Sequence, residues 1–227
     1  MNKVAVITGA AGGIGKELTT LYRKKNYSLI LADKDGSGFS ELKTKEGVEV
    51  VIGDITKSET RKRIVDFVTQ KYKKLDILIN NAGITFIQPF EDNTEEQLNR
   101  IVDTNLKAPI LLTHELYGFM KLQGEGVIIF TNSSAGKQGY PNHTLYSTTK
   151  FGLSGFAQSL RHEARKFNIR ILSVHPGGIK TPFYDHAKEK PDTSGYMDAR
   201  KVAEIIVYLS ETSDLSPDEI VINRLSK

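Results

Sequence analysis

The stretch Val4-Ala5-Val6-Ile7, running into Thr8-Gly9-Ala10-Ala11-Gly12-Gly13-Ile14-Gly15, decides the fold. An unbroken apolar run suits a strand covered on both faces, and the glycines let the backbone turn sharply after it. Helical spacing begins at Ile14, so strand, glycine turn and helix follow one another directly. The same alternation extends outward. Strand-like runs fall at 3–8, 28–32, 48–52, 75–79, 127–131, 169–175 and 219–222, and helical stretches at 14–25, 58–72, 94–122, 146–167 and 198–210. Each parallel crossover needs a helix-sized connection. A β-α-β-α order throughout therefore predicts an α/β fold, a doubly wound parallel sheet of about seven strands with helices on both faces.

The chain has 227 residues, 39% hydrophobic and 26% charged, with 31 Lys+Arg against 27 Asp+Glu and a formal charge of +4. That balance is ordinary for a globular protein, and the length fits one core. No composition break marks a second domain, so residues 1–227 read as one. The long irregular stretch at about 177–197, with Pro182, Pro191, Gly195 and Lys188-Glu189-Lys190, reads as a lid. The absence of cysteine excludes thiol nucleophiles, Cys-ligated zinc, iron–sulfur clusters and disulfides, and suits a cytoplasmic setting. The N-terminal apolar run is too short for a signal-peptide core or a membrane span, so no membrane partner is expected. A pI of about 9.0 raises nucleic-acid binding. Four surplus positive charges make only a weak field, however, and no nucleic-acid partner is expected.

The glycine turn has a chemical reading beside its structural one. A helix N-terminus offers unpaired N–H groups to a pyrophosphate, and glycine lets the backbone come close to it. Asp33 closes the second strand eighteen residues past Gly15, near the offset at which a carboxylate holds an adenosine ribose. An acid there accepts from a 2′-hydroxyl and repels a 2′-phosphate. Turn and acid together predict a Rossmann-like NAD site, with NADP not excluded.

Tyr146 and Lys150 stand four apart near the start of a helical stretch and share a face. To work as a base near neutrality, a tyrosine of reference pKa ≈ 10 must fall by ~3 units, about 4 kcal/mol. A unit charge ~4 Å away at an effective dielectric of ~20 supplies about that much, against the opposing effect of burial. The pair thus predicts a phenol tuned by its lysine.

With these residues in place, the chain resembles the short-chain dehydrogenase/reductase family, in its short single-domain branch, over essentially its whole length. Thr8-Gly9-x-x-x-Gly13-Ile14-Gly15 resembles the family's cofactor turn, Asp54 its adenine-binding acid, and Asn80-Asn81-Ala82-Gly83 its strand-four motif. Asn105 sits where the family keeps a catalytic asparagine, Ser133 precedes Tyr146 by thirteen residues, and Pro176-Gly177 with Thr181 resembles the nicotinamide-side loop. The resemblance implies catalytic roles for Asn105, Ser133, Tyr146 and Lys150. It implies cofactor contacts from Gly9, Ala11, Gly12, Gly13, Ile14, Gly15, Asp33, Asp54, Ile55, Asn81, Ala82, Gly83, Tyr146, Lys150, Pro176, Gly177, Ile179 and Thr181.

By the same resemblance, Tyr146 exchanges a proton with an alcohol or carbonyl oxygen while hydride moves to or from the nicotinamide. Ser133 hydrogen-bonds that oxygen, Lys150 holds the ribose, and Asn105 anchors a water. Aligning Ala135-Gly136 on the family's Ser-x-Ala-Gly selects Ser133 over Ser134. The substrate is then a small alcohol or carbonyl compound, and no metal is required. The alternative is a catalytically silent dinucleotide-binding sensor or scaffold.

Loop position makes Ser133, Gln138, Tyr140, His143, Phe183 and Tyr184 the substrate-side candidates. The histidines 114, 143, 162, 175 and 186 show no ligand spacing, so no metal site is expected. The basic runs Arg61-Lys62-Arg63 and Lys71-Tyr72-Lys73-Lys74 read as a solvated surface. The C-terminal residues 218–227 are shorter and more polar than the family's usual ending. A homodimer or homotetramer is still implied by the resemblance.

Overall fold

The computed structural model describes residues 2–184, 187, 190–212 and 215–225. The strands are β1 (Val4–Thr8), β2 (Ser28–Asp33), β3 (Val48–Ile52), β4 (Ile77–Asn80), β5 (Gly126–Thr131), β6 (Ile169–Pro176), β7 (Ile179–Lys180), β8 (Met197–Asp198) and β9 (Glu219–Ile222). Seven of them form a sheet in the order β3-β2-β1-β4-β5-β6-β9, with every pairing parallel. β7 and β8 form a separate two-stranded ladder, Ile179 opposite Met197.

Alternation along each strand divides the core in two. Ala5 and Ile7 pack with Leu29, Leu31, Ile79 and Ile129 on one face, under helices α1 (Gly13–Lys24) and α6 (Ala199–Glu211). Val4 and Val6 pack with Ile30, Leu78, Ile128 and Phe130 on the other, under α2 (Ser58–Asp66), α4 (Ala108–Gln123) and α5 (Thr144–Ala164). Both faces of β1 are sealed, which is why its sequence reads as continuous rather than alternating. Each such Leu or Ile contributes about 1.5–3 kcal/mol on burial, so the central strands fix where every loop at their C-terminal ends emerges.

The alternation fails once. Between β2 and β3 the chain carries only a 3₁₀ turn, Ser37–Phe39, and the fully buried Phe39 fills the space a helix face would cover. Two expected helices are also interrupted. The 94–122 stretch becomes α3 (Glu95–Val102), a π-helical turn Asp103–Lys107, and α4. Thr94 starts it with a capping box: its hydroxyl accepts from Gln97 N–H at 3.2 Å, and Gln97 Oε1 accepts from Thr94 N–H at 3.0 Å. The 58–72 stretch likewise ends in a π-helical turn, Phe67–Tyr72, stopped by Lys73 at φ 51°.

The basic run at 61–63 is not all surface. Arg61 is buried, pairs with Glu115 at 3.0 Å, and donates to the carbonyls of Ile55 and Thr56 at 3.1 and 2.9 Å. A planar guanidinium serves three acceptors at once, so burial is offset. The expected lid at 177–197 holds β7, a 3₁₀ turn Pro182–Tyr184 and the first residue of β8, and its residues 185, 186, 188 and 189, including His186 and Lys188-Glu189, lie outside the described residues. No described helix is long and apolar enough to cross a membrane.

Candidate active site

The chain reverses direction across the sheet between β1 and β4, and a cavity of about 650 Å³ opens there at the strands' C-terminal ends. Open parallel sheets bind ligands at such a switch point. Gly9, Gly12, Gly13, Ile14, Asp33, Asp54, Ile55, Asn81, Ala82, Gly83, Pro176, Gly177, Ile179 and Thr181 all line it. Gly15 and Ala11 do not, and act behind it. A Cβ on Gly15 would stand 1.9 Å from the Gly9 carbonyl oxygen, so α1 approaches the turn only because that side chain is missing. Ala11 donates its N–H to Asp33 Oδ2 at 2.9 Å, tying the turn to the end of β2.

The cradle fits a dinucleotide. A Cβ at Gly12 would meet nothing within 4 Å, α1 has no side-chain cap, and no acid occupies its first turn. Its free N–H groups can therefore take a pyrophosphate. Asp33 also accepts from Asp35 N–H at 3.0 Å, so two backbone N–H groups fix its carboxylate in the cavity lining. Burial works against ionisation of Asp54, yet hydrogen bonds from the Thr56 backbone and hydroxyl hold its carboxyl below the usual range.

The reacting corner hangs from β5 and α5. Thr144 begins α5 two residues before Tyr146, so Tyr146 and Lys150 stand on its first turns with their side chains on one face. Ser133, just past β5, accepts from Ala135 N–H at 3.1 Å and hydrogen-bonds the Tyr146 hydroxyl. His175 on β6 is fully buried, and its Nδ1 lies 3.0 Å from the Ser133 carbonyl oxygen. Burial lowers its pKa, so it meets that carbonyl as a neutral N–H donor. Lys150 is buried and donates to the Thr131 carbonyl at 3.0 Å, with its ammonium 5.6 Å from the centre of the Tyr146 ring.

The electrostatics differ from the sequence expectation. Burial pushes the Tyr146 phenol up to about 12, only partly countered by Ser133, and burial lowers Lys150 to about 8. Removal from water disfavours both charged forms. The phenol rests protonated. Asn105 is held through its side-chain amide. It is buried in the π-helical turn, where Oδ1 accepts from Ile84 N–H at 2.8 Å. Its Nδ2 donates to Ile84 O at 2.8 Å and Thr149 Oγ1 at 3.3 Å. Its amide is engaged in bracing the loop after β4 against α5.

Of the substrate-side candidates, Ser133, Phe183 and Tyr184 line the cavity. Gln138 and Tyr140 are outside its lining: Gln138 Nε2 donates to the Tyr140 hydroxyl at 2.7 Å, which donates to Ser134 Oγ at 3.1 Å. Ser134, unlike Ser133, is outside the cavity lining. His143 stands behind Tyr146, with ring centres 6.3 Å apart. Among the described residues no group of three or more His, Asp or Glu could hold a metal.

Sequence reasoning missed Thr8, whose Oγ1 accepts from Asn81 N–H at 3.0 Å and Ala82 N–H at 3.1 Å and so fixes the strand-four motif beside the turn. It also missed the cavity wall from the α3 end, including Asn99, Arg100 and Thr104. Thr8 follows an apolar run and directly precedes the glycine turn, a visible signal; the α3 wall has none, because tertiary packing alone brings it there.

Comparison with known proteins identifies the family. The family model for short chain dehydrogenase matches residues 3–192. The 3-oxoacyl-(acyl-carrier-protein) reductase of Thermotoga maritima is 32% identical over 221 residues, covering 92% of this chain and 90% of that protein. The structure of 3-ketoacyl-(acyl-carrier-protein) reductase from Brucella melitensis complexed with NADH superposes with a TM-score of 0.88 at 26% identity, over 97% of this chain and 96% of that one. An alcohol dehydrogenase from the archaeon Thermococcus sibiricus complexed with 5-hydroxy-NADP superposes at 0.85 and 25% identity, over 98% and 96%. The match of the family model over most of the chain shows that the chain belongs to the short chain dehydrogenase family of oxidoreductases.

Proposed function

We propose that this chain, acting as one domain over residues 1–227, reduces a ketone to a secondary alcohol with NADH, Tyr146 serving as the general acid. The observation that carries the reading is the hydrogen bond between Ser133 and a Tyr146 phenol held protonated by burial at about 12. A protonated phenol is the form that donates to a carbonyl oxygen, so the resting site is set for reduction.

A nicotinamide held by the glycine turn, Asn81 and Lys150 would supply the hydride, and the Tyr146 hydroxyl would donate its proton to the carbonyl oxygen, so that one ketone would become one secondary alcohol. Ser133 hydrogen-bonds the same oxygen and stabilises the charge that develops on it. Lys150, lowered to about 8 by burial and lining the same cavity, would hold a ribose hydroxyl. Asp33, already oriented by Ala11 and Asp35, favours a 2′-hydroxyl over a 2′-phosphate. The cytoplasm is the setting we propose, and exposed Leu98 and Phe151 support a homodimer or homotetramer, checked by light scattering.

The test is Tyr146→Phe. Turnover of a ketone panel should fall by about 10²–10⁴ while NADH binding, followed by its fluorescence, stays within a few-fold. Wild-type turnover in the variant would overturn the assignment.

A further inference from the structure

We propose that the ketone carries a neutral aromatic ring, selected by Phe183 and Tyr184; this rests on the carbonyl-reductase reading above. From Tyr146 outward, Phe183 and Tyr184 line the cavity as part of a run of rings set edge to face. Phe183 lies 5.9 Å from Tyr146 at 61°, Tyr184 lies 5.3 Å from Phe183 at 88°, and Tyr196 lies 5.6 Å from Tyr184 at 70°.

The far end of this run is braced. A Cβ on Gly178 would come within 2.8 Å of the Tyr196 ring carbons, so that ring rests directly on glycine backbone. Arg224 covers it, its guanidinium carbon 5.6 Å from the ring centre. Tyr184 is also hydrogen-bonded to the Ile179 backbone. Phe183 and Tyr184 are therefore positioned from behind.

Such a wall treats two ligands of equal size differently. A saturated ring gains only buried area, whereas an aromatic ring also gains edge-to-face attraction, enough for about a tenfold preference. Phe183 and Tyr184 themselves carry no formal charge. A carboxylate set against their rings would lose water without an ionic partner from them.

The experiment compares 1-phenylpropan-2-one with 1-cyclohexylpropan-2-one. In both, a methylene separates ring from carbonyl and keeps intrinsic reactivity similar. With NADH and the unmodified protein, kcat/KM should favour the phenyl ketone about tenfold, and a para-carboxylated phenyl ketone should be at least tenfold poorer. A phenyl-to-cyclohexyl ratio at or below one, or equal use of the carboxylated ketone, overturns the proposal. Phe183→Leu should bring the ratio to within about twofold of one, and a ratio unchanged from wild type overturns the assignment. If that variant does not fold, Tyr184→Leu carries the same test. Reduction of linear ketones or 3-oxoacyl thioesters but of neither ring ketone defeats this inference alone; no turnover of any carbonyl defeats the underlying reading.

Discussion

Lys150 Nζ donates to the carbonyl oxygen of Thr131 at 3.0 Å while lying 5.6 Å from the centre of the Tyr146 ring. The ammonium thereby joins α5 to the end of β5 as well as facing the phenol. Burial drives the two groups toward their neutral forms, Lys150 downward to about 8 and Tyr146 upward to about 12.

That opposition sets a pH dependence of stability. Between about 8 and the ordinary lysine value of 10.5 the unfolded chain holds a proton that folded Lys150 has released, so stability rises with pH across this window. The rise is on the order of 3 kcal/mol. Above 10 the unfolded chain loses the tyrosine proton that folded Tyr146 keeps until about 12, and stability falls again. Urea midpoints at pH 7.5 and 9.5 should show the rise in the wild type and its loss in Lys150→Met. A rise that survives in Lys150→Met would show that other groups cause it.

Two glycines of one turn should respond differently to the same added methyl group. Gly15→Ala places a Cβ 1.9 Å from the Gly9 carbonyl oxygen and should cost about 1–3 kcal/mol or more in stability, with a lower Tm. Gly12→Ala meets nothing within 4 Å and should leave Tm nearly unchanged while weakening nucleotide binding, because its methyl group enters the cradle. Paired melts and NADH titrations decide it; equal Tm losses would contradict the geometry.

Asp33→Asn should weaken NADH about tenfold, the loss of one charge-assisted hydrogen bond of roughly 1.5 kcal/mol. NADPH should be less affected, since a repulsion is removed along with the bond. Titration with both cofactors reads the ratio. An unchanged ratio would show that Asp33 serves only to hold Ala11 and Asp35.

Much of the site was legible because its signals are local. The glycine turn, Asp33 and the Tyr146–Lys150 spacing each depend on a few neighbouring residues and one backbone period. What was hidden depends on packing. Arg61 looks like its neighbours in a basic run, yet it is buried under the Ile55–Thr56 turn by contacts with α4. Nothing between Lys34 and Gly47 announces that Phe39 will replace a helix. The phenol's surroundings are hidden for the same reason: spacing gives the distance between charges, but not how much water is excluded or which acceptor the lysine takes.

The π-helical turn Asp103–Lys107, closed by Ala108 N–H on the Asp103 carbonyl, puts one residue too many into a helix, and Asn105 is held there. Local hydrogen bonding would favour removing it. Stabilisation and activity are therefore opposed at this position: deleting one residue would regularise the helix and turn Asn105 away from Ile84. A deletion variant with a higher Tm and lower turnover is the expected signature, and a gain in both would refute it. A search for more robust variants by melting temperature alone would therefore select against the loop geometry that Asn105 maintains.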